Sequence, residues 1–282
     1  LKNIVFCGFG KLGKDCLVEL IRKDFVPSLI LTHKELLDES VDTFAINNNL
    51  KYSYKDSRKN ISKMKKILMT INPYFLISVN YRYIIPKDIF SIPEYAVNIH
   101  GSLLPKYRGR TPHVWSIING EDYSGITAHL IEEIVDTGDI INQISVKIDE
   151  DDTGYTLLKK YEKLYPRFLI DSLLRLEENI PLIKQDERYA SFFGKRIPEM
   201  GYIDFNKNAK DIINFIRAQA NPYPGAYYYL KNGRKVIINR VVYDKSSNGE
   251  NLQIGVIELV KDNYYVKCKD AILKLKDFNV VS

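Results

Sequence analysis

A short apolar run, Asn3-Ile4-Val5-Phe6-Cys7, leads into Gly8-Phe9-Gly10-Lys11-Leu12-Gly13 and then into a helical pattern through Leu17, Leu20 and Ile21. Strand, glycine turn and helix in that order open a β–α–β unit. The alternation continues along the first half. Ser28–Thr32 reads as a second strand, and a lysine-rich amphipathic helix from Ile61 to Ile71 leads into another buried strand at Tyr74–Val79. Such a pattern confines the chain to an α/β fold with a doubly wound, mostly parallel sheet covered by helices on both faces. Ligands on such sheets bind outside the carboxyl ends of the strands. Asn80 and Asn98 both fall at predicted strand ends.

The second half changes character. Ile126–Ile131 and Ile140–Val146 read as strands on either side of an Asp136-Thr137-Gly138 turn. Thr153 can cap a helix whose apolar residues recur at Leu157, Leu158, Tyr161, Leu164, Tyr165, Phe168, Leu169, Leu173 and Leu176. That is the period of one buried helical face, so the tyrosines in it are read as core. Pro166 marks a place where that helix is expected to kink. Residues 184 to 200 are polar and mixed and read as a connector, and Asp211–Ala220 reads as a short amphipathic helix. Beyond it, Lys235–Val242, Leu252–Leu259, Tyr264–Lys267 and Ile272–Leu275 suit a small antiparallel sheet or barrel. The expected organisation is a catalytic domain over 1–183, a connector with a short helix over 184–225 and a small β-rich domain over 226–282.

Composition removes several function classes. No apolar run approaches the ~20 residues that span a bilayer, and the first residues lack the tripartite pattern of a signal peptide. A net charge of +6 over 282 residues is mild, so it gives no indication of nucleic acid but suits an anionic small ligand. The three cysteines, Cys7, Cys16 and Cys268, are widely spaced and odd in number. They fit neither a disulfide framework nor a zinc site, and a reducing cytoplasm suits them. No His/Cys/Asp/Glu spacing suggests a metal.

The chemistry concentrates in 98–139. Asn98 and His100 stand two apart, where an apolar run gives way to a Gly/Ser/Pro turn, and Asp136 follows in the Thr-Gly turn. An amide can steady a carbonyl oxygen as it becomes an oxyanion. An imidazole can manage the proton of an attacking amine, and a carboxylate can set the imidazole tautomer and favour its charged form. Together they suit acyl transfer without a covalent enzyme intermediate. His129, inside a strand-like run, reads instead as a satisfied core residue, His113 beside Trp115 as packing, and His33 as surface.

Asn98-x-His100, Ser102-Leu103-Leu104-Pro105, Tyr107, Arg108-Gly109 and the later Asp136-x-Gly138 resemble the signature of the 10-formyltetrahydrofolate-dependent formyltransferases. That resemblance implies a Rossmann-like catalytic fold, 10-formyltetrahydrofolate as co-substrate, no metal, and Asn98, His100 and Asp136 as the catalytic set. It also implies that the segment through Ser78, Asn80, Tyr81, Arg82, Tyr83 and Ile84 lines a pterin pocket, with Asp139 beside it. Gly8-Phe9-Gly10-Lys11-Leu12-Gly13 fits a dinucleotide-binding fingerprint, but the second strand ends in Leu31-Thr32-His33-Lys34, with an acid, Glu35, only just beyond the place where the ribose contact is expected. Backbone N–H groups at a helix start can hold any phosphate. Gly10 and Lys11 are therefore candidates for the pyrophosphate of a nucleotide sugar, with a plain tight turn as the equal alternative.

Two branches of that family differ in acceptor. The tRNA-directed members carry a long basic insertion after the second strand. Here His33–Asp42 is short and holds four acids against one lysine, whereas phosphate-backbone binding needs clustered Lys and Arg. Arg108–Gly120 and Arg217–Ala226 resemble the sugar N-formyltransferases. This implies a nucleotide-linked amino dideoxysugar, probed by Lys106, Arg108 and Tyr223, in the synthesis of O-antigen or another surface polysaccharide. No nucleic acid or membrane partner is expected, and a homodimer is left open. The alternatives are a methionyl-tRNA formyltransferase, a non-catalytic nucleotide or folate binder, and a dehydrogenase built on the Gly8 loop.

Overall fold

Strands β1 (Ile4–Gly8) and β4 (Phe75–Val79) are buried at all five positions, as expected for runs covered on both faces. They pair in parallel, with Gly8 opposite Val79. Around them, β2 (Leu29–Leu31), β3 (Tyr52–Ser53), β5 (Tyr95–His100), β7 (Tyr123–Leu130) and β8 (Ile140–Lys147) complete a seven-stranded sheet in the order β3-β2-β1-β4-β5-β7-β8. Here β6 denotes the two-residue strand Arg108–Gly109, which pairs with β9 (Phe192–Phe193). The structure, a computed structural model, describes residues 2–244 and 252–281.

The sheet runs parallel from β3 through β5, and β7 then lies antiparallel to β5. Sequence order reverses between β1 and β4, which makes their carboxyl ends the topological switch point. The helices are α1 (Gly10–Arg22), α2 (Val41–Asn47), α3 (Ile61–Ile71), α4 (Lys87–Phe90), α5 (Pro112–Ile118), α6 (Gly154–Glu177) and α7 (Ala209–Ala218). The predicted span of α3 is reproduced residue for residue. Its buried Met64 and Leu68 join β1, β2 and β4 residues in one core.

Thr153 caps α6 through its hydroxyl, which accepts from the Thr156 N–H at 3.1 Å. The helix continues through Pro166 to Glu177. Tyr161 and Tyr165 are buried in its apolar face, as the periodicity implied.

Contacts divide the chain into two units, residues 1–109, 125–146 and 160–192 in one, and 110–124, 147–159 and 193–282 in the other. These bounds differ from the expected ones at 183 and 225. The second unit contains an antiparallel sheet ordered β10 (Ala226–Tyr229), β11 (Lys235–Tyr243), β14 (Ile272–Val280), β13 (Asn263–Lys267), β12 (Ile257–Val260). Helix α7 packs Ala209, Ile212 and Ile216 onto that sheet with Ile203 and Phe205, so this stretch is core rather than linker. The strand expected at 252–259 is shorter and starts at Ile257. Cys7, Cys16 and Cys268 are free and buried. Among the described residues no helix is long and apolar enough to cross a membrane.

Candidate active site

Residues two apart on a strand share a face, so β5 presents Asn98 and His100 side by side at its carboxyl end. The antiparallel partner β7 places His129 directly opposite Asn98 and Thr127 opposite His100. Asp136 enters from the loop after β7, in a left-handed backbone conformation with φ of 60°. All of these residues belong to the first unit. Asn98 is half-buried, while His100 and Asp136 are each 7% exposed.

Hydrogen-bond partners fix the protons. His129 Nδ1 lies 2.7 Å from the Leu130 carbonyl, which can only accept, so Nδ1 carries a proton. Asn98 Nδ2, an amide nitrogen that can only donate, lies 3.1 Å from Nε2, so Nε2 accepts there. This orients the Asn98 amide and leaves its second N–H to donate elsewhere. His100 Nε2 likewise donates to the Tyr107 carbonyl at 2.7 Å. Its Nδ1 faces Asp136 Oδ2 at 3.4 Å, and Asp136 Oδ1 lies 3.5 Å from His129 Nε2.

Burial raises the Asp136 pKa, but His100, His129 and the Gly109 N–H, which donates to Oδ2 at 2.8 Å, outweigh it and bring the group to about 2. The carboxylate is therefore charged. Burial lowers the His100 pKa, against the opposing charge of Asp136. The resting imidazole is neutral, yet both of its nitrogens face oxygen acceptors. A second proton would complete both contacts, so the ring is poised to gain one. No serine or cysteine nucleophile is part of this set. The chemistry it supports is direct attack on a carbonyl carbon, with an amide donor at the oxygen and an imidazole held ready for charge.

The turn after His100 is built by the Ser-Leu-Leu-Pro stretch. Ser102 Oγ donates to the Lys106 carbonyl at 2.6 Å, and Thr127 Oγ1 donates to the Ser102 carbonyl at 2.6 Å. Leu104 N–H donates back to Thr127 Oγ1 at 3.2 Å. The result is a turn that aims the Tyr107 carbonyl at His100. Behind it, a Cβ at Gly101 would come within 3.2 Å of Tyr161 and of the Tyr165 hydroxyl, so α6 packs close against the turn.

The glycine loop looks different from its sequence reading. Gly10 N–H donates to Glu35 Oε2 at 2.9 Å, and Lys11 Nζ pairs with Glu39 at 2.7 Å and Asp15 at 3.1 Å. A phosphate at this helix start would have to displace the chain's own carboxylates, Glu35 on Gly10 and Glu39 and Asp15 on Lys11. Gly13 is explained by packing, since a Cβ there would stand 3.1 Å from Val41 and 3.2 Å from the Gly8 backbone. The acidic segment is wired inward. Buried Asp42 accepts from the Glu35 and Leu36 N–H groups and from the Tyr54 and Ser40 hydroxyls.

Arg108 reads in the sequence as a substrate contact, but its guanidinium is buried and bonded to Gln185 and, in bidentate fashion, to Glu187. It is a structural clamp. Lys106 is exposed in the same turn. In the segment after β4, Asn80 adopts φ of 55° and donates to the Phe9 carbonyl at 3.3 Å. Tyr81 turns toward the core with its hydroxyl unpaired, Arg82 stacks on Phe9 at 3.5 Å, and Tyr83 packs on His33 at 4.4 Å. His33 is thus half-buried inside an aromatic cluster rather than a surface residue. Ile84 is 59% exposed, and Ser78 sits in β4 opposite Asn98. Asp139 follows the Asp136 turn, and its carbonyl accepts from the Leu130 N–H at 3.0 Å.

His129, read in the sequence as a satisfied core residue, is buried with both ring nitrogens bonded, and it also stands beside the candidate residues. The signal of that placement was its register opposite Asn98, which exists only once β7 is known to run antiparallel.

His113 and Tyr223 lie in the second unit, with Nε2 and the hydroxyl 2.9 Å apart. Burial drives the His113 pKa from 6.5 down to about 4. A base whose folded pKa is depressed is neutral when folded and becomes charged on unfolding. Its contribution is complete above about pH 6.5 and is lost as pH falls toward 4, by roughly 3 kcal/mol at most. We expect the loss of Tm between pH 7 and pH 4.5 to be smaller in His113→Gln than in the wild type. Equal losses would remove His113 from the acid sensitivity of the fold.

Residues 21–173 match the model of the formyl transferase family, and residues 196–280 match the model of its C-terminal domain. The chain belongs to the formyl transferase family. It is 32% identical to the methionyl-tRNA formyltransferase of Caldicellulosiruptor saccharolyticus, over 99% of this chain and 92% of that protein. It is 37% identical to the bifunctional polymyxin resistance protein ArnA of Wigglesworthia glossinidia brevipalpis, over 84% of this chain but only 37% of that longer protein. Among solved structures, an N-formyltransferase from Helicobacter canadensis, complexed with folinic acid and dTDP-3-aminofucose, superposes with a TM-score of 0.77. That likeness, at 20% identity over 99% of this chain and all of the other, concerns the fold. As a formyl transferase the protein is an enzyme.

Proposed function

We propose that this formyl transferase moves the formyl group of 10-formyltetrahydrofolate onto the amine of a nucleotide-linked amino sugar. The observation that carries the chemistry is the oriented Asn98 amide beside a neutral, buried His100 backed by ionised Asp136. The amine attacks the formyl carbon. Asn98 Nδ2–H stabilises the oxygen as negative charge develops there. The amine's proton passes by way of His100 to the leaving folate nitrogen as the bond from that nitrogen to the formyl carbon breaks, and Asp136 stabilises the transient imidazolium.

The folate side is supported by the irregular segment after β4, whose backbone is outside the sheet and whose Ile84 is exposed. Ile134, 72% exposed, adds apolar surface on the loop that carries Asp136. Apolar walls with backbone donors and acceptors suit a flat heterocycle. Ser78, Asn80, Arg82, Tyr83, Ile84 and Asp139 are the residues assigned to it. Tyr81 supports the segment from the core.

The sugar acceptor is supported by the short stretch after β2. It closes on the glycine loop through Glu35 and Glu39, and it offers one lysine, Lys34, to a phosphate backbone. The Helicobacter canadensis enzyme, similar in fold, is complexed with a dTDP-linked amino sugar, which agrees. Lys106 remains a proposed acceptor contact, and surface-polysaccharide synthesis is the proposed destination. A methionyl-tRNA acceptor is the second reading, favoured by the near full-length similarity to such an enzyme.

The test is formyl transfer from 10-formyltetrahydrofolate to a panel of dTDP-, UDP- and GDP-linked 3- and 4-amino sugars, run beside Met-tRNA with mass detection of the adduct. Turnover of one sugar, abolished by His100→Asn, is the expected result. Turnover of Met-tRNA alone would overturn the acceptor assignment.

A further inference from the structure

Asp136 holds a backbone conformation that side-chain-bearing residues rarely adopt, with φ of 60°. Something must hold it there. The carbonyls of Asp136 and Gly138 both accept from one group, the Gln185 side-chain amide, at 2.9 and 2.7 Å. Both Nε2 hydrogens are used in this way. The other end of the amide, Oε1, accepts from Arg108 Nε at 3.2 Å and Nη2 at 2.8 Å. Arg108 is in turn held by Glu187 at 2.9 and 2.7 Å.

The backbone carrying Gln185 is itself pinned. Ile183 and Ile140 exchange two hydrogen bonds, of 2.8 and 2.9 Å, which fix this segment to the start of β8. Meanwhile Gly109, next to Arg108, donates its N–H to Asp136 Oδ2 at 2.8 Å. The Asp136 turn is therefore gripped on its carboxylate by the backbone after Arg108 and on its carbonyls by Gln185. All of these residues lie in the first unit.

We infer that Gln185, oriented by Arg108, is a positioning residue for formyl transfer that locks the backbone of Asp136 so that its carboxylate faces His100. Only a primary amide can serve both ends of this bridge, donating twice to carbonyls and accepting from a guanidinium. A glutamate in its place keeps the Arg108 contact and loses both donations. This assignment rests on Asp136 and His100 acting in formyl transfer and not on which amine is the acceptor.

The experiment compares wild type with Gln185→Glu and Gln185→Leu by steady-state kinetics and by titration of His100 in protein labelled with 15N-histidine. Misplacement of a reacting group by about 1 Å can cost about 10²-fold. The expected result is a fall in kcat of at least about 10-fold with little change in acceptor KM in both variants. The His100 titration, which Asp136 faces directly and His129 senses from β7, is displaced in both. The Tm of Gln185→Glu stays close to that of wild type. Wild-type kcat with an unchanged His100 titration overturns the assignment. So does a loss of activity that tracks only the loss of folded protein. Failure of wild type to turn over any sugar would count against the proposed acceptor, while the titration still decides the role of Gln185.

Discussion

Asn98→Ala removes the one side-chain N–H that the hydrogen-bond pattern leaves to meet a developing oxyanion, and kcat is expected to fall about 10²–10³-fold. The fold should survive. Asn98 is half-buried at the end of β5, and its one described side-chain contact is with His129. Loss of that contact leaves the His129 Nδ1–H still bonded to the Leu130 carbonyl. The variant should melt within a few degrees of wild type, a separation that distinguishes loss of chemistry from loss of structure. Activity within about 10-fold of wild type would contradict the role of Asn98, since one oxyanion donor is typically worth more than that.

Gly138→Ala should damage both turnover and stability, and for a different reason. A Cβ at this position would stand 1.9 Å from the Leu130 oxygen and 2.7 Å from its carbonyl carbon. Both are backbone atoms and cannot swing away, so the loop must move. The Leu130 carbonyl is the acceptor that sets the His129 tautomer, and the Gly138 carbonyl is one of the two that Gln185 holds. One methyl group therefore disturbs His129, Asp136 and, through them, Asn98. Overpacking of this kind costs about 1–3 kcal/mol of stability. A shift of about 1 Å at the site costs about 10²-fold in rate. Thermal unfolding and kcat measured on one preparation should show both losses. A variant with wild-type turnover would mean that the Asp136 loop is free to move without consequence.

Much of this was legible in the sequence, and the parts that were share a cause. The α3 span, the buried face of α6 and the Thr153 cap follow from periodicity and capping chemistry, which are local. Asn98, His100 and Asp136 were legible as candidates because three chemically apt residues stood in an ordered motif. His129 was not, because a histidine in an apolar strand has the same local pattern whether it packs in a core or faces an amide. Only the antiparallel pairing of β7 with β5 decides between them, and the β–α–β rhythm gave no sign of it. Gln185 was hidden by a polar, mixed segment that resembles linker. Arg108 suits a phosphate as any arginine does, whereas here the Glu187 carboxylate and the Gln185 amide take the same donors. Gly10 and Lys11 followed the same course. The chemistry of the residues was read correctly, and the ligand they meet in the fold is the chain itself.

The β5–β7 ladder limits how this enzyme can vary. Loops that end on the surface absorb insertions readily. The pairing of Asn98 with His129 does not, because side chains on a strand alternate in direction. One residue added or removed within β7 ahead of His129 would bring Ala128 or Leu130 opposite Asn98 and turn the imidazole to the other side of the sheet. The tolerance of this protein to changes in length should therefore drop to zero over a window of a few residues on an otherwise ordinary strand. In an insertion scan, that window would mark the candidate site without any substrate in hand.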